Sequence, residues 1–474
     1  MSKLSKLFSV IILISTISVN AQKTWSLQEC IKYALDNNIQ VKRQELQTKL
    51  AQNNHEQSKY QRYPNLNAGG SHNWTLGRSV DRYTNEFSNT TVQSDNFSLQ
   101  SSVVLFNGFQ ISNTIEQNKY IVESSLNDYE KAKNDIALQV ATVYLQILFG
   151  EEALDIAQKQ LEVTRLQLEK TKKLVDAGSK ANGELLQMQA QEAGDKYNVT
   201  NAKNNLDVSY LTITQILELK TSEGFKVAKP TAISVSNQNV LLSVDDIYRE
   251  AEAKMPQVKS GESTLKSYEK GLAIAKGQSY PELSLSGSYY SGYSDARTKI
   301  TAAVPYVSTI GFVNGDPTMP VTTTGYSYTQ SKYPFFEQLK DNASKSLSLN
   351  LSIPIFNRFS TRTSISNAKI RMQDASYNLA QVKKTLYQDI QKAHADALGA
   401  FEKFNSATEA VASYEEAFKY SQQRFDVGML SSVDYNIAKN NLLKAQSDLI
   451  QAKYEYIFKI KVLDFYRGMP IILQ

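Results

Sequence analysis

The sequence predicts an α+β membrane protein built as a tandem repeat, in which each half supplies two amphipathic strands and one long helical hairpin. Three observations predict it: ordered self-similarity along 474 residues, alternating apolar and polar segments of about ten residues, and helical spans far longer than those of globular domains.

The repeat is read first. Leu27 to Val41 resembles Val244 to Val258, and Tyr63-Pro64-Asn65-Leu66 recurs 217 positions later as Tyr280-Pro281-Glu282-Leu283. Farther on, Leu105-Phe106-Asn107 matches Ile355-Phe356-Asn357, and Val175-Asp176-Ala177-Gly178 matches Phe425-Asp426-Val427-Gly428, both at an offset of 250. The two offsets differ by a 33-residue insertion between Pro281 and Leu347. The halves are residues 22–235 and 236–474, each reading helix, strand, strand, long helix, turn, long helix.

In the first half Ser26 caps a helix expected to run to about Arg62, with Glu29 at the capping-box position. Pro64 stops it. From Leu66 the pattern alternates: Ala68, Gly70, His72 and Trp74 share one face with Leu66 and Leu76, and Ser, Thr, Asn and Gly fill the other. Phe97, Leu99, Ser101, Val103 and Leu105 form one face of the partner strand. The contrast sharpens in the second half, where Leu283, Leu285, Tyr289 and Tyr293 oppose Ser284, Ser286, Ser288 and Ser294. Leu347, Leu349, Leu351, Ile353 and Ile355 alternate with Ser348, Asn350 and Ser352. Such alternation fits a half-buried soluble sheet as well as a membrane barrel with a wet lumen. An export signal, Tyr-rich strands and the Tyr-, Thr- and Gly-bearing segment from Ser291 to Ser331, expected as a long external loop, favour the barrel. Four strands are too few, since about eight are needed for a sheet to wrap on itself. Lipid tolerates no open edge, so several chains must share the barrel.

The remaining spans, Ile111 to Val175, Asn182 to Leu219, Thr361 to Phe425 and Ser432 to Phe465, contain no proline. A helix of this length runs on the order of 100 Å, which suits a coiled coil. Ile136, Val140, Val143, Ile147 and Leu148 give an apolar stripe, and Ala393, Ala397 and Ala400 permit close approach. An ordinary solvated helical hairpin would carry the same stripe.

Composition narrows the function classes. Lys3 and Lys6, the apolar run Leu7 to Val19 and the small residue Ala21 describe an export signal at residues 1–21. Removing it lowers the formal charge from +5 to +3, which gives no basis for nucleic-acid binding. The single Cys30 forms no intramolecular disulfide, lacks the small residues that precede a lipid-modified cysteine, and reads as a buried structural thiol. No later apolar stretch reaches about 20 residues, so any membrane crossing is by strands. His55, His72 and His394 lie apart, no metal-ligand spacing or phosphate loop occurs, and no catalytic, cofactor-binding or metal residue is assigned. The chain is not expected to be an enzyme. An exported structural or adhesive coiled-coil protein is the alternative class, and it leaves the four amphipathic strands unexplained.

The tandem halves, the opening Leu27 to Val41 helix with its copy, the Tyr-Pro strand entries at Pro64 and Pro281, the Phe106-Asn107 and Phe356-Asn357 pairs and the glycine turns at Gly178 and Gly428 resemble the TolC outer-membrane efflux family. The resemblance covers nearly the whole mature chain. It implies a homotrimer whose strands build one twelve-stranded barrel in the outer membrane of a Gram-negative cell, continued by a periplasmic barrel of helices. It also implies passive export in a tripartite efflux or type I secretion system. The hairpin tips, residues 176–186 and 426–435, would then form the periplasmic entrance and meet an adaptor protein serving an inner-membrane pump. Gly178 and Gly428 mark the turns for that contact.

Family members carry two acidic residues and an arginine after the second turn. Here Asp434 matches the first acid, Ile437 stands at the second position and Leu430 at the arginine. Three Asp434 carboxylates in a narrow throat would favour cations. An exposed aspartate at a helix start serves the helix terminus equally well. Glu184 occupies the equivalent place in the first half.

Overall fold

The computed structural model describes residues 24–80, 85, 87–88, 91–229 and 242–472. The expected export signal at residues 1–21 and the boundary between the halves at 235/236 lie outside the described residues.

In chain order the elements are β1 (Thr24–Trp25), α1 (Leu27–Asn37), α2 (Ile39–Tyr60), β2 (Asn67–Thr75), β3 (Ser79–Val80), β4 (Phe87–Ser88) and β5 (Val92–Asn107). There follow α3 (Gln110–Asp176), α4 (Asn182–Ile216), β6 (Lys226–Val227), α5 (Val244–Lys254), α6 (Pro256–Gly277) and β7 (Glu282–Ser294). The chain continues through β8 (Thr298–Phe312), β9 (Pro320–Lys332), α7 (Phe335–Asp341), β10 (Ser344–Ser352), α8 (Ser360–Asp426) and α9 (Ser432–Tyr466). Contacts divide the chain into two compact units. One comprises residues 1–52, 119–266 and 373–474, the other residues 53–118 and 267–372.

The first unit is helical. Ser26 accepts from the Glu29 amide while the Glu29 carboxylate accepts from the Ser26 amide, the expected capping box. The helix does not run unbroken to Arg62. Asn38 leaves the helical region at ψ 131°, and its side chain donates to the Ile216 carbonyl and accepts from the Gln40 amide, so one residue ends α1 and starts α2. In the second half Met255 makes the same break, and Pro256 begins α6 at the position where its missing N–H costs nothing. Leu27, Cys30 and Ala34 of α1 are buried against Ile136, Val140, Tyr144 and Ile147 of α3, with Ile213, Leu217 and Ile457 closing the cluster. Cys30 is thus a core thiol. A second cluster sets Ile247, Ala251 and Val258 against Leu386, Ile390, Ala393 and Ala397. The alanines of α8 let the α5–α6 segment approach closely.

The second unit holds a four-stranded antiparallel sheet in the order β10-β7-β5-β2. Paired residues share a face. The register Leu351↔Leu283, Leu349↔Leu285, Leu99↔Tyr289 and Ala68↔Leu99 therefore collects the predicted apolar residues on one side, except that a bulge between Val104 and Phe106 sets Phe106, not Leu105, opposite Leu283. That side is open: Leu347 is 76% exposed and Leu349 64%. On the opposite side polar groups bond across strands, Gln100 to the Tyr290 hydroxyl at 2.5 Å, Ser288 to Ser346 at 2.6 Å and Asn350 to Ser286 at 3.2 Å. Among the described residues β2 and β10 each have a single strand partner, leaving two edges. No helix of the described residues is long and apolar enough to cross a membrane.

The insertion departs from expectation. Instead of a loop, β8 and β9 form a ribbon with 13 paired positions, from Thr298↔Lys332 to Phe312↔Pro320. Thr, Val and Tyr supply its β-branched and aromatic pairs, and α7 follows it. The last strand also ends earlier than expected, at Ser352, because Pro354 cannot donate to a ladder.

Candidate functional site

The two predicted hairpin tips are built alike. After α3, Gly178 adopts φ +74°, its amide donates to the Val175 carbonyl at 2.9 Å and the Ser179 amide to the Leu174 carbonyl at 2.8 Å. After α8, Gly428 at φ +77° and Met429 make the matching bonds to Phe425 and Arg424 at 3.1 and 2.8 Å. Both are Schellman closures that need a left-handed residue. No atom lies within 4 Å of an added Cβ at either glycine, so backbone angle rather than space selects glycine.

The helices that leave the turns start differently. α4 begins behind Ala181 with no side-chain cap. α9 begins behind Ser431, whose hydroxyl accepts from the Asp434 amide at 3.1 Å and donates to the Asp434 carboxylate at 2.8 Å. Asp434 is exposed, as a throat-lining group must be, and it is also engaged at the positive end of its helix. Glu184 is half-buried and ion-paired with Lys180 at 2.7 Å, and the Lys180 ammonium stands 4.4 Å from the centre of the Phe425 ring. The two acids occupy corresponding places with different partners. The Ser-x-x-Asp spacing of Ser431 and Asp434, repeated at Ser243 and Asp246, is the signal for the capping role. Ser431→Ala is expected to cost about 1 kcal/mol, read as faster amide exchange at Asp434 with the rest of α9 unchanged.

Behind the tips the two hairpins are joined by contacts that helical periodicity does not reveal. Tyr435 is fully buried, stacked 4.5 Å from Phe425, and burial pushes its hydroxyl up to about 12. Lys170 of α3 bridges to Asp426 at the end of α8 at 2.7 Å. Ser432 donates to Gln187 at 2.8 Å. Deeper still, Lys439 of α9 and Asp195 of α4 form an ion pair at 3.7 Å that is 2% and 1% exposed. Thr164 of α3 bonds to both, Lys439 also donates to the Gln160 carbonyl at 3.2 Å, and Gln191 donates to Asp195 at 2.9 Å. Loss of hydration drives the Lys439 ammonium down to about 8, although Asp195 pulls in the opposite direction. Three helices thus converge on one dry charge pair. Its members lie 244 residues apart in sequence, on polar faces that read as solvated.

The sequence model of the family described as outer membrane efflux protein matches residues 30–218 and 247–460. The outer membrane protein TolC of Vibrio cholerae is 21% identical over 335 residues, covering 70% of this chain and 68% of that protein. TolC of Escherichia coli K12 is 22% identical over 338 residues, covering 69% of this chain and 60% of the relative's length. Among solved structures, the Vibrio cholerae outer membrane protein VceC superposes with a TM-score of 0.74 at 14% identity, covering 94% of this chain and 96% of that one. The Campylobacter jejuni CmeC outer membrane channel gives 0.73 at 18% identity, covering 93% and 85%. At these identities the superpositions speak for the fold.

Proposed function

Since the chain belongs to the outer membrane efflux protein family and is an outer-membrane efflux channel of the TolC type, we propose that it works as one of three identical subunits of a continuous tunnel. The tunnel conducts exported material passively from periplasm to exterior in a tripartite efflux or type I secretion system. The observation that carries this reading is the four-stranded sheet, apolar on one face and hydrogen-bonded polar groups on the other, with open edges at β2 and β10. Three copies supply about twelve strands, enough to close a barrel where four are not. Closure satisfies the edge groups that lipid would leave unpaired.

In this reading residues 22–235 and 236–474 are tandem copies of one ancestral unit, and the helices extend into the periplasm. The tips at Gly178 and Gly428 meet a periplasmic adaptor that links the tunnel to an inner-membrane pump. Asp434 lines the entrance, with Glu184 at the equivalent place in the first half, and export proceeds without catalysis or a cofactor. The exposure of Asp434 at the start of α9 supports its placement. Neutralisation of Glu184 by Lys180 makes Asp434 the stronger source of negative potential.

The test is single-channel recording of the purified mature protein in a planar bilayer, after sizing in detergent. A trimer with discrete conductance steps supports the tunnel, and a monomer that never enters the bilayer overturns it. Asp434→Ala is expected to weaken cation preference and block by divalent cations. Unchanged selectivity and block would remove Asp434 from the entrance.

A further inference from the structure

Short helix α7 is pinned to the apolar face of the sheet, yet it holds a large aromatic ring outward. Phe335 packs 6.3 Å from Phe97 and 5.1 Å from Tyr293, both on that face. Gln338 is 0% exposed: its oxygen accepts from the Ser294 amide at 3.1 Å and its nitrogen donates to the carbonyls of Ser294 and Tyr333 at 2.9 and 3.0 Å. Asn342 donates to the Gly292 carbonyl at 2.7 Å and Ser291 to the Leu339 carbonyl at 2.5 Å. In this anchored segment Phe336 is 81% exposed. Leaving such a ring in water forgoes the gain that burial of its apolar surface would bring.

The position of α7 along the strands is informative. From Leu283 to Tyr293 a strand rises about 33 Å, which at the usual tilt projects to about 25 Å, the height of the apolar band of a membrane barrel. Tyr293 therefore sits at one rim. The hydrogen-bonded pair of His72 and Asp95 at 2.5 Å lies beside it on the same face, where the apolar surface gives way to polar groups. β7 and β10 join helices at their other ends, so this rim is the outward one in an outer-membrane protein with a periplasmic helical extension. Charge follows the same logic. Lys299 is spent on Glu337 at 2.7 Å and Arg297 on Asn342. Lys340 and Lys345 are exposed and in no ion pair among the described residues. Lys345 shares the lipid-side face with Tyr289, where a long side chain reaches upward to the polar boundary.

We propose that α7 is a membrane-surface helix at the outer rim of the barrel. Phe336 inserts among the acyl chains, and Lys340 and Lys345 bind the phosphates of anionic lipid headgroups in the outer leaflet. The surface is continuous with the apolar face of the sheet, and its free charge is opposite to that of the headgroups. The inference rests on that face being the lipid face, and the experiment separates the two.

Nitroxide labels are attached at Phe336→Cys and, separately, at Leu349→Cys in the full chain, where native Cys30 is buried, and wild type serves as the labelling control. Accessibility to oxygen and to a water-soluble nickel chelate is measured in phosphatidylcholine vesicles with and without phosphatidylglycerol. Both labels are expected to favour oxygen. Bound phosphatidylglycerol, counted by native mass spectrometry, is expected to fall in Lys340→Glu/Lys345→Glu to the level of phosphatidylcholine. A Leu349 label in lipid with a Phe336 label in water, or shielded from both reagents by protein, overturns the role of α7 and leaves the barrel standing. A Leu349 label in water overturns both. Phosphatidylglycerol binding that survives the double charge reversal overturns the assignment to Lys340 and Lys345.

Discussion

Lys439→Met is expected to destabilise the helical unit by about 3–5 kcal/mol, and adding Asp195→Leu is expected to recover most of that loss. The pair is 2% and 1% exposed, so removing the ammonium leaves the Asp195 carboxylate in a dry site where, among the described residues, Thr164 and Gln191 are its donors. An uncompensated buried charge costs more than the pair contributes when intact, whereas two apolar groups of similar volume remove the desolvation of both charges. Denaturant titration followed by circular dichroism distinguishes these outcomes. A single substitution within 1 kcal/mol of wild type would show that water reaches the pair. The same burial sets a pH dependence. The Lys439 pKa falls from 10.5 to about 8, so between those values the unfolded chain holds a proton that the folded chain has released. Stability contributed by this group therefore rises with pH across that window, and the rise is absent in Lys439→Met.

Gly108→Ala is expected to cost about 2–5 kcal/mol at the junction of β5 with α3, read as loss of the folded, heat-modifiable form on electrophoresis. Gly108 has φ +64°, and an added Cβ would lie 2.4 Å from the Gly277 carbonyl oxygen and 2.8 Å from Tyr280 Cβ. Backbone angle is not the deciding term. Arg358, at the corresponding place in the second half, holds φ +55° with a full side chain. What differs is the close approach of the Gly277 backbone, which has no flexible atom to yield. Arg358→Gly, which relieves a left-handed residue without opening a contact, is expected to be neutral or mildly stabilising by comparison.

These two sites divide what the sequence makes legible from what it does not. The Ser26–Glu29 box, the long helices to within a few residues and the faces of the strands are written in local patterns, because capping spacing and the periods of 3.6 and 2 belong to neighbouring residues. The turns at Gly178 and Gly428 are equally local. The break at Asn38 is invisible in local pattern because its partner, the Ile216 carbonyl, is 178 residues away. The pairing of Lys439 with Asp195 is hidden for the same reason. The insertion reads as a loop because its Thr, Ser and Gly content masks an alternation that only strand pairing makes explicit. For the candidate entrance, the sequence places the acids and the Ser-x-x-Asp spacing points to Ser431, while the Lys180 partner of Glu184 emerges only when the side chains are placed.

The strand register also sets a timetable. Asp95 meets His72 over a separation of 23 residues and Ser288 meets Ser346 over 58, but Gln93 meets Asp295 over 202. Closing the longest of these loops costs about 2 kcal/mol more than closing the shortest. At ribosomal rates the second half of the seam emerges roughly 10–40 s after the first. Through that interval β2 and β5 exist as a two-stranded ribbon, marginal by itself and apolar on one side. The newborn chain is thus most vulnerable to misassociation before β7 arrives.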